Sequence, residues 1–244
     1  MGGLRLIRNT ATLNRAVLQS MVDARRRSRK AGRPLTTAER AEWLHQWAGT
    51  LLRRLRIPVH VEGLIPGPGL IVSNHLSYLD ILAISTTMPA VFVSKAEVKH
   101  WPVFGKLCDI AGTVYVDRTR KSGTREANEG IRQALDAGMR VVIFPEGTSS
   151  DGTGVLPFYP SLFEPAVACG APITAACIEY AIEKGSVGQD IAYWGEMTFF
   201  PHLLKLLSKR GMSAMVRFGE RARKFEDRKV AAKEMREAVL HLKI

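Results

Sequence analysis

Leu70-Ile71-Val72-Ser73-Asn74-His75-Leu76-Ser77-Tyr78-Leu79-Asp80-Ile81-Leu82-Ala83-Ile84 reads as a strand, a polar turn and a helix in one short span. The Pro66-Gly67-Pro68-Gly69 run before it is a turn by composition. Leu70-Ile71-Val72 suits a strand, and Ile81 to Ile84 suit a buried helix. His75 and Asp80 lie at the junction, five residues apart. With His75 in the turn and Asp80 in the first helical turn, the carboxylate can orient the imidazole as a general base. A helix cap or a surface pair has the same spacing, so this pair alone defines no site.

Outward from that span, short β-branched runs at 59–61, 91–93, 113–116, 141–144 and 173–178 alternate with longer helix-like stretches. The alternation predicts an α/β fold, with a mainly parallel central sheet flanked by helices. The clearest helix is predicted over 124–137, with Ala127, Ile131, Ala134 and Leu135 on one face and Gly138 as its C-cap. Ala231, Met235, Ala238, Val239 and Leu242 form the apolar stripe of a last helix.

An N-terminal amphipathic helical segment precedes the alternating region. Residues 1–33 are weakly helical and end in the basic run Arg25-Arg26-Arg27-Ser28-Arg29-Lys30, broken by Gly32-Arg33-Pro34. Thr36-Thr37-Ala38-Glu39 is a capping box that opens a helix running to about Arg56. Trp43 and Trp47, beside Arg40, Arg53, Arg54 and Arg56, are expected at the headgroup level of a membrane. The same face would also serve to pack the helix on the core. The expected organisation is a basic membrane-associating segment at 1–56, an α/β domain at 57–218, and a basic C-terminal helix at 219–244 packed on it.

Charge supports that division. Residues 1–56 hold 13 Lys/Arg against 3 Asp/Glu, and residues 202–244 hold 12 against 5, whereas 57–201 hold 10 against 15. Basic ends on an acidic middle point to an anionic membrane surface, or to a solvated pair of helices. A nucleic-acid partner is not expected, because no RNP, KH or zinc-finger signature occurs. Cys108, Cys169 and Cys177 lie at no metal-ligand spacing, and no metal is expected. The first residues lack a signal-peptide apolar region, and no uncharged apolar run reaches the roughly 18 residues of a spanning helix. A peripheral location on a membrane is the expectation.

Two further constellations accompany His75 and Asp80. Phe144-Pro145-Glu146-Gly147-Thr148-Ser149-Ser150 follows the apolar run at 141–143. Gly147 permits close backbone approach, and the hydroxyls beside it suit an oxyanion or phosphate. Gly112-Thr113-Val114-Tyr115-Val116-Asp117-Arg118 is a strand that delivers an Arg at its C-terminal end, where α/β sheets bind ligands. Taken alone, Arg118 reads as a surface ion pair with Asp117 or a neighbour. A serine hydrolase is disfavoured because no G-x-S-x-G elbow occurs.

In this order and spacing, Asn74-His75 with Asp80, then Gly112 with Asp117-Arg118, then Phe144 to Thr148, resemble three blocks of the glycerophospholipid acyltransferase family. That family includes the 1-acylglycerol-3-phosphate (lysophosphatidic acid) acyltransferases, and the resemblance spans roughly residues 57–200. A fourth, proline-bearing strand block is matched loosely by residues 171–176. The resemblance implies His75 as base toward the acceptor hydroxyl, with Asp80 holding it. That hydroxyl would attack the thioester of acyl-CoA or acyl-ACP directly, with no further cofactor. Arg118 would clamp the acceptor phosphate, with help from Lys95, while Glu146, Gly147 and Thr148 would position the glycerol part. The implied setting is the cytoplasmic face of the inner membrane. Ser149 stands where many family members have Arg, and the Ser150-Asp151-Gly152 that follows resembles the lyso-ornithine lipid acyltransferase branch.

Overall fold

The sheet that the alternating runs predict is present, and it has seven strands. A computed structural model describes residues 2–117 and 121–243. Two helices lead: α1 (Gly2–Ala31) and α2 (Thr37–Leu55). Then come β1 (Val59–Glu62), β2 (Gly69–Ser73), α3 (Leu79–Ser85) and β3 (Val91–Lys95). A 3-10 turn (Ala96–His100) leads to α4 (Phe104–Ala111), β4 (Val114–Val116), α5 (Lys121–Asp136) and β5 (Arg140–Ile143). The chain finishes with α6 (Glu164–Ala168), β6 (Ile173–Ile182), α7 (Val187–Asp190), α8 (Phe199–Ser208), β7 (Met212–Phe218) and α9 (Arg228–Leu242).

The strand order is β1-β7-β6-β2-β5-β3-β4, and only β6 and β7 pair antiparallel. Side chains alternate across the pleat, so each strand feeds two cores. Ile71, Val142, Ala176 and Ile178 face a layer that includes α2, α3 and α8. Leu70, Val72, Val141, Ile143 and Ile173 face α5, α6 and α9. β2 is buried throughout, as a central parallel strand must be. The predicted helix at 124–137 is α5, and Gly138 adopts φ +71 with its N–H on the Leu135 carbonyl.

The N-terminal helices depart from expectation in one respect. Thr36 caps α2 through the full capping box with Glu39, as read. However, the Trp face of α2 points inward. Trp43 is 2% exposed and its indole N–H donates to the Ser20 carbonyl of α1 at 3.0 Å. Trp47 donates to Asp23 at 2.9 Å. The headgroup placement of Trp43 and Trp47 is therefore corrected: they join α2 to α1, where Ala24, Trp43 and Ala111 form a small core of their own. It is α1, a single 30-residue helix, that carries an unpartnered apolar row, with Leu4, Ile7, Leu18 and Val22 all more than 60% exposed. No helix among the described residues is long and apolar enough to cross a membrane.

Candidate active site

β2, β5, β3 and β4 are neighbours and run the same way, so the loops after them meet at one edge of the sheet. His75 follows β2, residues 146–150 follow β5, and Lys95 ends β3. Lys95 pairs in register with Val116 of β4 and is exposed. Arg118 lies outside the described residues. Carboxyl ends of parallel strands are where open α/β sheets hold ligands.

Asn74 explains how the chain leaves the sheet at His75. Ladder pairing between β2 and β6 ends at Ser73 and Ala176. One step on, the Asn74 side chain takes over, accepting from the Ile178 N–H at 2.8 Å and donating to its carbonyl at 2.9 Å. The β6 groups stay satisfied while the main chain of residues 75–78 turns away, consistent with the cost of leaving buried polar groups unpaired.

His75 Nδ1 lies 2.7 Å from Asp80 Oδ2. Asp80 is fully buried. Its Oδ2 also accepts from the backbone N–H groups of Leu76 (2.7 Å) and Ser77 (3.0 Å), and its Oδ1 from the Tyr180 hydroxyl (2.7 Å). An oxygen already accepting two amide hydrogens cannot itself be the donor, so the shared proton sits on Nδ1. That tautomer leaves Nε2 with its lone pair free for a proton. Burial and the neighbouring Asp80 charge raise the Tyr180 phenol well above its ordinary value, which keeps it a donor. The imidazole stacks on Phe144, with ring centroids 4.1 Å apart and planes inclined by 17°. Ring plane, tautomer and position are thus each fixed by a separate contact.

The loop after β5 is strapped to this turn. The His75 N–H donates to Glu146 Oε1 at 2.9 Å, and the Ser150 N–H donates to the His75 carbonyl at 2.9 Å. Glu146 Oε2 accepts from the Leu156 N–H at 3.0 Å. The carboxylate is 2% exposed and turned inward onto these amides. Burial pushes its pKa up from 4.5 to about 6, against the opposing pull of the two amides. Gly147 turns the chain at φ +67, a conformation that favours glycine, and Thr148 beside it is exposed. Ser149 donates to the Tyr193 carbonyl. Arg236 and Lys243, from α9 and its C-cap, hold the same loop through the carbonyls of Val155, Leu156 and Gly152.

Among the described residues, no protein hydroxyl is hydrogen-bonded to the imidazole. Ser73 and Ser77 are fully buried, and Ser150 Oγ lies on the His75 carbonyl. Among the described residues, Asp80 is the sole hydrogen-bond partner of the imidazole. A base without a protein nucleophile activates a hydroxyl or water brought by the substrate. Sequence reasoning brought His75, Asp80 and residues 146–148 together and missed Asn74, Phe144 and Tyr180 as supports. Phe144 stood within a quoted motif. Tyr180 had no signal, being 100 residues from the carboxylate it holds.

The Acyltransferase family model matches residues 28–179, more than half of the chain, and the chain belongs to that family. Among curated relatives, the 1-acyl-sn-glycerol-3-phosphate acyltransferase of Neisseria gonorrhoeae is 38% identical over 128 residues, covering 52% of this chain and 48% of that protein. The lyso-ornithine lipid O-acyltransferase of Rhizobium meliloti is 37% identical over 183 residues, covering 70% of this chain and 62% of that protein. The matches thus span about half to three-fifths of those relatives' lengths. A crystal structure of the 1-acyl-sn-glycerophosphate (LPA) acyltransferase PlsC from Thermotoga maritima superposes with a TM-score of 0.67 at 18% identity, covering 98% of this chain and 92% of that one. That likeness confirms the α/β fold.

Proposed function

We propose that the protein transfers a fatty acyl group from an acyl thioester, acyl-CoA or acyl-ACP, to the free hydroxyl of a lysophospholipid. The observation that carries this reading is a base held in one tautomer by a buried carboxylate, with no hydroxyl among the described residues bonded to it. His75 Nε2 takes the acceptor proton as the hydroxyl oxygen attacks the thioester carbonyl. The tetrahedral intermediate then collapses and expels the thiolate, which receives the proton from His75. General-base assistance of this kind contributes about 10²–10⁴-fold in rate. Gly147 and Thr148 position the acceptor, Arg118 and Lys95 engage its phosphate, and Glu146 acts through the His75 turn. α1 rests on an anionic membrane surface through Leu4, Ile7, Leu18 and Val22.

1-Acylglycerol-3-phosphate is the leading acceptor, with phosphatidic acid as product. A second reading, a lyso-ornithine lipid acceptor, is favoured by Ser149, which is tied to the Tyr193 carbonyl where a cation would meet a phosphomonoester. The test is one labelled acyl donor offered lysophosphatidic acid, lyso-ornithine lipid and lysophosphatidylcholine, with His75→Ala in parallel. Acyl transfer that persists in a folded His75→Ala protein refutes the mechanism, and the preferred acceptor decides between the two lipids.

A further inference from the structure

A second concentration of charge lies where α1 begins and α2 and α8 end, beside the end of β6. It forms a cleft of about 360 Å³, lined by Arg5, Arg8, Arg56, Lys209, Arg210 and Glu183. It shares no residue with the His75 site. Lys209 is paired with Asp190 at 2.9 Å, and Arg210 approaches Glu183 only to 3.9 Å. The Arg8 guanidinium reaches the neutral amide oxygen of Asn9 at 3.1 Å. Among the described residues, Arg5, Arg8 and Arg56 have no carboxylate partner.

Helix dipoles account for part of this cluster. Arg56 and Lys209 are the C-caps of α2 and α8, and a cation there offsets the partial negative charge of a helix end. Arg5 and Arg8, in the first two turns of α1, are not accounted for in this way. Three arginines gathered in one cleft with no carboxylate partner among the described residues call for an anion from outside the chain. Leu4 and Ile7, from the same two turns, are 79% and 69% exposed. Whatever anion fills the cleft therefore lies beside apolar side chains that face solvent, which suits an amphiphile.

We propose that this cleft is an accessory site for the phosphate headgroup of a membrane phospholipid, separate from the acceptor site, with Leu4 and Ile7 entering the acyl layer beside it. The proposal stands apart from the acyl-transfer reading, because it is read by binding. The test uses the full chain and vesicles of phosphatidylcholine alone or with about one-fifth phosphatidic acid, at matched ionic strength; a cation near an anionic surface contributes about fivefold in affinity. The triple variant Arg5→Ala, Arg8→Ala, Arg56→Ala should bind the anionic vesicles roughly 100-fold more weakly. A charge-matched control, Arg221→Ala, Lys224→Ala, Lys229→Ala, removes three exposed cations away from α1 and should weaken binding far less. Equal losses in the two triples would show a diffuse field and overturn the site. Thermal melting confirms that both variants are folded. Titration with short-chain phosphatidic acid and with inorganic phosphate separates the sources. Tighter binding of the lipid, lost in the first triple, supports a headgroup site. Phosphate binding as tightly as the lipid overturns that assignment.

Discussion

Asp80→Asn separates the two jobs of the buried carboxylate. Three donors converge on Oδ2 and one hydroxyl on Oδ1. An asparagine can keep this arrangement in only one orientation, with its oxygen in the Oδ2 place and its NH₂ toward Tyr180, whose hydroxyl can turn to accept. The Nδ1–H tautomer of His75 is then preserved, and only the negative charge is lost. Two unit charges about 4 Å apart interact by about 4 kcal/mol at an effective dielectric of 20. The imidazolium is partly formed in the transition state, so about 2–3 kcal/mol of this is expected in the barrier, roughly a hundredfold in kcat. The acceptor KM should stay within a factor of about three, because Asp80 is fully buried. The assay is steady-state transfer of labelled acyl groups to mixed-micelle acceptor, with circular dichroism to confirm folding. A kcat within about threefold of the parent, or a loss confined to KM, would refute the base-and-orienter assignment.

Other expectations follow from the same contacts. Trp43→Ala should cost about 3–5 kcal/mol in chemical denaturation, as for a buried aromatic, and leave vesicle binding by the folded protein unchanged. An interfacial Trp43 would give the opposite pattern. Glu146 makes stability depend on pH: its carboxyl is raised from 4.5 to about 6, so its contribution is full below pH 4.5 and lost as pH rises through 6. That is about 2 kcal/mol, and the stability difference between the parent and Glu146→Gln should change by this amount between pH 4.5 and 6.5. A difference that stays flat across the window counts against it. Direct transfer to the acceptor predicts that initial-rate plots for donor and acceptor intersect; parallel lines would point to an acyl-enzyme.

The sheet was legible wherever a strand is buried on both faces. The runs at 70–72 and 141–143 sit at its centre, and their unbroken apolar character is what central parallel strands require. β7 escaped because it alternates: Ser213, Met215 and Arg217 face outward between buried Ala214, Val216 and Phe218, and basic sequence flanks it. Its antiparallel pairing with β6 was likewise invisible, since register between distant strands is set by packing. The site divides along the same line. His75 and Asp80 are local to one turn and could be read from spacing. The supports from Phe144 and Tyr180 arise only when β5 and β6 close beside β2. The tryptophans of α2 show the limit of periodicity, which marks an apolar face without saying whether protein or lipid covers it.

α1 is about 45 Å long at 1.5 Å per residue, and its inner side is riveted to the body along that length. Asn9 donates to the Leu207 carbonyl, Leu13 enters the main core, and the Ser20 carbonyl takes the Trp43 indole. A helix held at three levels cannot swivel on its own. If it beds into a bilayer, the catalytic body follows rigidly, and the height and tilt of His75 above the lipid are set by geometry instead of by a tether. Such a protein behaves as a keel fixed to its hull. Each landing would then present the same mouth to the same depth of lipid, many acceptors would be processed before departure, and turnover would track the two-dimensional density of substrate rather than its bulk concentration.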